Sequence, residues 1–206
     1  PEQGLLDGAP WLVQFAVFLT LSDFLMGLVH RMLHGVPWLW QFHKVHHSIH
    51  TMDWIGSFRF HVAETIVYRS LLYVPLLWLG GDSGPLWAVI LLSTAWGHFN
   101  HANLDVGLGP LALVFNSPRM HLWHHDASAE GGVAKNFGIT LSLWDHLFGT
   151  AYWPRDRAPK VIGYPQDGEM PADLPRQLVF PLFRRRASDS APEPASDPAT
   201  DPGEAA

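Results

Sequence analysis

Thirteen histidines occur in this chain, and most fall in short runs at helical spacing. His30 and His34 are followed by His43, His46 and His47, with His50 just beyond, and the pattern returns at His121, His124 and His125. In a helix, residues at i and i+4 stack on one face, and i, i+3 and i+4 put three there. Each run can therefore aim two or three imidazoles at one point. A neutral imidazole offers a nitrogen lone pair near physiological pH, which makes histidine the commonest metal-binding side chain. A single histidine on an apolar face is ordinarily a hydrogen-bonded core residue; three clusters at this spacing point to a metal. His98 and His101 add a fourth group, with His101 the better ligand. His61 and Glu64, one turn apart, read as partners of Arg59 or as supports of the site rather than ligands. His146, among Trp144, Leu147 and Phe148, reads as a core or interfacial residue.

Composition narrows the chemistry. The chain has no Cys, which excludes disulfides, zinc fingers, Fe–S clusters and thiol nucleophiles and leaves nitrogen and oxygen ligands. Eight or nine candidate histidines exceed the roughly three or four that one zinc ion needs, so two metals fit the count. Imidazole suits Fe, Zn, Cu and Ni, so ligand type does not choose among them. There is no carboxylate-rich helix like that of soluble diiron bundles. A net charge of -6 and the lack of a basic arm give no sign of a nucleic-acid partner. Charged residues make up 16% and hydrophobic residues 48%, and a charged fraction this far below roughly a quarter points to lipid.

The elements that must position the histidines are apolar helices. Residues 1–10 read as an N-terminal loop without an initiator Met or a signal-peptide layout, so the chain reads as a fragment or a processed form. Trp11 to Val29 is almost uninterruptedly apolar and long enough for a bilayer core of about 20 helical residues. Asp23 lies within it, seven positions before His30 on the same helix face; a carboxylate there is expected to orient a ligand imidazole. Gly35-Val36-Pro37 breaks the helix, and a second runs from Trp38 to His47. Residues 48 to 60 are mixed and suit the membrane surface. Residues 65 to 97 read as an apolar helical hairpin around the turn Gly80-Gly81-Asp82-Ser83-Gly84-Pro85, with Pro75 as a kink. Its return brings His98 and His101 to the end where the first clusters lie. Asn116-Ser117-Pro118 starts a short helix carrying the last trio, and residues 139 to 148 suit an amphipathic helix.

The order His30-x3-His34, His43-x2-His46-His47, His101-Ala102-Asn103 and His121-x2-His124-His125 resembles the fatty acid hydroxylase / sterol desaturase superfamily of membrane enzymes. Asp23 ahead of His30-Arg31, Phe42 to Ser48, Arg59-Phe60-His61 with Glu64, Phe115 to Arg119 and Leu143 to Thr150 look like its bacterial members, and the likeness covers about residues 20 to 155. The resemblance implies a non-haem centre of two iron ions that activates O2 on the cytosolic side and oxidises a lipid C–H bond. It also implies His30, His34, His43, His46, His47, His101, His121, His124 and His125 as ligands.

The expected fold is therefore all-α: an integral membrane helical bundle with a cytosolic histidine-rich cap. Residues 11–155 would be the catalytic domain, 156–186 a C-terminal extension and 187–206 a disordered tail whose composition buries nothing. The expected function is O2-dependent hydroxylation or desaturation of a lipid or sterol-like substrate, in a bacterial inner membrane. Asp23 and Asn103 would tune the metals, and electrons would come from an external donor protein. Zinc could load in place of iron in recombinant protein. The rivals are a membrane zinc-dependent hydrolase and a non-catalytic metal-binding membrane protein. Arg31, Lys44, Arg119, Lys135, Arg155, Arg157 and the Arg184 to Arg186 run share the histidine side, while the turn at 80 to 85 has no Lys or Arg; the histidine face is thus expected in the cytosol.

Overall fold

The apolar run from Trp11 closes into α1, Trp11–Gly35, the helix on which the rest is built. The structure, a computed structural model, describes residues 4–128, 135–165, 170–171 and 173–182. After α1 come α2 (Pro37–His47), α3 (Val62–Trp78), α4 (Ser83–His101), α5 (Pro118–His124), α6 (Leu143–Phe148) and α7 (Leu174–Leu178), with 3-10 turns at Trp54–Phe58 and Gly109–Leu113. Among the described residues there is no strand, only isolated bridges at Phe115–Leu141 and Asp126–Ile162, so the all-α expectation holds.

At 25 residues α1 is the one described helix long and apolar enough to cross a membrane. α3 and α4 form the expected hairpin, with 17 and 19 residues, and α3 continues through Pro75 to Trp78. Both pack on α1 rather than extensively on each other. Phe18 of α1, Leu76 of α3 and Val89 of α4 meet in the apolar core. The outward faces leave Leu12, Ile66, Leu77 and Leu91 more than half exposed, a larger apolar surface than a water-facing bundle tolerates.

The two ends of the bundle are fixed by different means. At one end the N-terminal loop is tied to the hairpin turn: Leu6 N–H donates to the Leu79 carbonyl (2.8 Å) and Gly81 N–H to Asp7 Oδ1 (2.6 Å). Buried Gln14 accepts from Asp82 N–H (2.6 Å) and donates to Asp82 Oδ2 (3.0 Å). Gly81 has a φ of 93°, and a Cβ there would lie 2.7 Å from Gln14 Oε1, so both conformation and space demand glycine. Exposed Trp11, Trp78 and Trp87 surround this end and exposed Trp38 and Trp54 the other, as interfacial aromatics do.

At the other end lie the C-termini of α1, α2 and α4, the N-terminus of α3, and α5. One expectation needs correction here. Residues 139 to 142 are not helical, and only Leu143–Phe148 forms α6, because the backbone of Thr140 and Leu141 is captured by Asp23 before it can close a turn. Beyond Trp153 the described residues are coil apart from α7, and the chain returns over the histidines. Gly163 N–H donates to the His125 carbonyl (2.9 Å), Gln177 Oε1 accepts from Arg59 Nη2 (2.7 Å), and the Lys44 ammonium sits 4.8 Å from the centre of the Phe180 ring. The Arg184–Arg186 run and the segment 187–206 lie outside the described residues.

Candidate metal centre

Nine of the expected ligands converge, in two adjacent groups. His30, His34, His43, His47 and His124 form the first; His46, His101, His121 and His125 form the second. Within each, one ring nitrogen per residue lies within 4.8 Å of every other. Rings of the two groups touch, His47 and His125 stacking at 4.3 Å between centroids.

The helix register explains the division. Successive residues are about 100° apart around the axis, so i and i+4 point nearly alike while i+3 and i+4 diverge. His30/His34 and His43/His47 feed the first group as i, i+4 pairs, and His121/His125 the second. His46 and His124, each next to a member of such a pair, swing into the opposite group. α2 and α5 therefore serve both groups, α1 the first alone and α4 the second alone. The expectation that each run converges on a single point is corrected accordingly.

Oxygen acceptors fix the tautomers. The Phe137 carbonyl accepts from His30 Nδ1 (2.8 Å), the Lys135 carbonyl from His124 Nδ1 (2.7 Å), the Gly97 carbonyl from His101 Nδ1 (2.8 Å) and the Arg59 carbonyl from His46 Nδ1 (3.3 Å). Glu64 Oε1 accepts from His43 Nδ1 (2.7 Å). A carbonyl carries no hydrogen, so Nδ1 holds the proton and Nε2 the lone pair of the neutral ring. Burial first, and neighbouring imidazoles next, push His46, His47, His121 and His125 well below the usual histidine range. Burial takes His124 to about 3 despite its bond to Lys135. These rings are neutral at pH 7.

Lone pairs then face lone pairs. His30 Nε2 lies 3.1 Å from His43 Nε2, and His46 Nε2 lies 3.2 Å from His101 Nε2, although each of these four rings already donates through Nδ1. Between neutral rings so held no proton is left to bridge the pair, and such contacts repel unless a cation sits between them. Nitrogens about 2.0–2.1 Å from one ion stand about 2.8 to 3.4 Å apart for right-angled to tetrahedral placement, which matches. Among the described residues, both nitrogens of His34 and His47 and Nε2 of His124 are buried without any hydrogen-bond partner, a cost that ligation removes. The residues present therefore fit metal ions.

The remaining expected residues lie elsewhere. His98 stays outside both groups: its Nδ1 contacts the Ser57 hydroxyl and the Trp54 carbonyl (3.2 Å). Asn103 is exposed, at φ 51°, and joins neither group. Asp23 reaches no imidazole; its carboxylate accepts from Thr140 N–H (2.8 Å) and Leu141 N–H (3.2 Å). His61 caps α3, accepting from Ala63 N–H (3.0 Å), and His146 lies 3.2 Å from the Ala112 carbonyl. Of the pair weighed as supports, Glu64 is the one that holds a ligand.

Sequence reasoning missed the loop 135–141, which supplies the carbonyls for His30 and His124. Side chains from all around pin it. Asp145 accepts from Phe137 N–H and Gly138 N–H (both 2.8 Å), Asn100 donates to the Ile139 carbonyl (2.7 Å), Asn116 to the Gly138 carbonyl, and Asp23 holds 140–141. A Cβ on Gly138 would lie 2.1 Å from the Leu141 carbonyl oxygen. Asp23→Ala strands two buried N–H groups and is expected to lower stability by about 2–4 kcal/mol, read as a fall in thermal unfolding temperature. An unchanged unfolding temperature would show the loop to be held without it.

A cavity of about 260 Å³ opens onto the histidines between α1, α3 and α4. His30 and His43 of one group and His46 and His101 of the other line its inner end, and Met26, Leu33, Leu72, Val89 and Ile139 line its apolar walls.

The fatty acid hydroxylase family matches this chain over residues 15–150. The chain is 35% identical to ornithine lipid hydroxylase OlsE of Rhizobium tropici over 181 residues, covering 87% of this chain and 53% of that protein. It is 32% identical to alkylglycerol monooxygenase of Homo sapiens over 177 residues (85% and 38%) and 27% identical to methylsterol monooxygenase 1 of Rattus norvegicus over 124 residues (59% and 41%). The chain thus spans about half the length of the first of these relatives and less of the others. No solved structure matches it significantly.

Proposed function

This chain belongs to the fatty acid hydroxylase family, and from that premise we propose that it is a membrane-bound enzyme with two non-haem iron ions that uses O2 to hydroxylate a lipid. The observation that carries the reading is the paired lone pairs of two adjoining all-histidine groups at the end of an apolar cavity. His30, His34, His43, His47 and His124 would hold one ion and His46, His101, His121 and His125 the other. Iron so held supplies the O2 activation and oxidising power that an unactivated C–H bond requires.

The chain's own part is positional. Loop 135–141, Gly97, Arg59 and Glu64 hold the imidazoles as neutral Nε2 donors, and the buried α2 and α5 faces keep bulk water from the centre. The apolar cavity presents a substrate C–H to the histidine end. The balanced reaction is R–H + O2 + two electrons + two protons giving R–OH + H2O, so an external donor protein must deliver the electrons. The names of the relatives, hydroxylase and monooxygenase, favour hydroxylation over desaturation.

A zinc hydrolase would need a carboxylate free to act as general base. Glu64 instead supports His43, and Asp126 accepts from the Ser128 N–H (3.0 Å) and hydroxyl. With labelled O2 supplied to membranes containing the protein and a donor system, label is expected in the lipid product and turnover should stop without oxygen. Label arriving only from water, with turnover unchanged in the absence of oxygen, would establish the hydrolase.

The reading places the histidine end in the cytosol and the 80–85 turn outside. Arg31, Lys44, Arg119 and Lys135 lie on or beside the histidine-bearing elements, and the turn has no Lys or Arg. A cysteine replacing Ser83 should be labelled by an impermeant reagent on intact cells, and one replacing Ser128 should not. Equal labelling of both would overturn the orientation.

A further inference from the structure

We propose that Arg69 anchors the anionic headgroup of a phospholipid at a lateral mouth of the cavity, so that the lipid enters between α3 and α4 and is oxidised near its head. This rests on the lipid hydroxylase reading and names the substrate class for the same cavity. The mouth follows from the lining: α3 and α4 each lie against α1, and side chains of both form the cavity wall. Phe58, Thr65, Arg69 and Thr94 both line the cavity and are exposed, which marks where it opens. Exposed Ile66, Leu91 and Trp87 extend apolar surface along the same two helices.

Of the described residues that line the cavity, Arg69 is the one strong positive charge on this rim. Among the described residues its guanidinium has only the Tyr73 hydroxyl as hydrogen-bond partner (3.0 Å), with no carboxylate in salt-bridge reach. An arginine without a counter-ion amid apolar helices is costly in a bilayer, so such residues line cavities and find counter-ions. Its planar donors match a phosphate. The inner end of the cavity has the opposite character: Glu64 is 7% exposed, and its Oε2 is buried without a partner beside His43. That carboxylate repels an anion from the histidines and leaves Arg69 as its seat.

Two magnitudes locate the attacked carbon. Arg69 follows Glu64 by five residues, about 7.5 Å along the helix, and its guanidinium reaches on toward Tyr73, so an anion on Arg69 sits a helix turn or more from the histidine end. A cavity of about 260 Å³ is smaller than the roughly 300–1,000 Å³ that encloses a whole drug-sized ligand. It admits the head end of a lipid while the remaining chain stays along the outer faces of α3 and α4.

Native mass spectrometry of the metal-loaded protein, released from micelles with equal phosphatidylglycerol and phosphatidylcholine of matched chains, tests this directly. The wild type is expected to retain phosphatidylglycerol about tenfold over phosphatidylcholine. Arg69→Gln should bring the ratio near one, Arg69→Lys should keep most of the preference, and Arg31→Gln should leave it unchanged. A ratio near one in the wild type, or full preference in Arg69→Gln, overturns the anchor. Metal content measured on the same samples separates the two readings: lipid preference lost with two ions retained defeats only the anchor, whereas two ions absent from a wild type that keeps its preference defeats the dinuclear centre and spares it.

Discussion

Alanine at His121 is expected to abolish turnover and leave about one ion per chain, and alanine at His34 is expected to do the same by emptying the other group. His121 belongs wholly to the four-residue group, where its Nε2 lies 3.0 Å from His101 Nε2 and 3.2 Å from His125 Nε2. Its removal leaves three donors and one side open. His34 belongs wholly to the five-residue group, where neither of its nitrogens has a hydrogen-bond partner among the described residues. No side chain can supply the oxidising power of the missing ion, so activity should fall to background rather than by a modest factor. Metal analysis of wild type, His34→Ala and His121→Ala, alongside product formation, checks this. One ion per chain in the wild type with full occupancy in His125→Ala would defeat the dinuclear arrangement. Zinc in a preparation would not bear on it, because availability and the affinity order govern which metal loads.

Glu64→Gln should weaken metal binding or activity by about 10–100-fold, the usual cost of losing a partner that orients a ligating histidine. The carboxylate accepts from His43 Nδ1 at 2.7 Å with both side chains almost fully buried. That contact fixes the ring's rotation and makes Nε2 a stronger donor. The amide keeps the shape but removes the charge, so the effect should exceed that of His61→Gln, whose ring caps α3 and packs on Phe42 without meeting a candidate ligand's hydrogen bond. Iron affinity measured by chelator competition in the two variants reads the difference. Equal affinities would reduce Glu64 to a packing residue, and Glu64→Ala would then show whether the contact matters at all.

Helices α1 to α5, the break at Gly35-Val36-Pro37, the hairpin turn and the start of α5 at Ser117-Pro118 were legible, because each rests on local signals: apolar length, glycine and proline, a capping hydroxyl. The Ser117 hydroxyl does accept from Met120 N–H (3.3 Å). Asp23 was legible as a residue with a purpose, being a carboxylate in an apolar helix, but its target was not. It reaches Thr140 and Leu141, more than a hundred positions away. His98 and Asn103 were drawn in by their closeness to His101. Yet one helix turn carries His98 toward Ser57, and the left-handed backbone at Asn103 takes that residue out to solvent.

The sequence by itself determined the kind of chemistry: which side chains can bind metal, that sulfur takes no part, and the angular spacing of imidazoles on each helix. The tertiary structure alone decided how they are shared out, two helices each giving histidines to both groups. Spacing fixes the angles on one helix, but it does not fix which neighbour fills the space those angles point into. It alone decided, too, which atoms hold the rings, since four of the five fixing acceptors are backbone carbonyls. Every residue carries a carbonyl, so no residue type signals its use, and only the folded path of the chain brings Phe137 to His30 and Lys135 to His124.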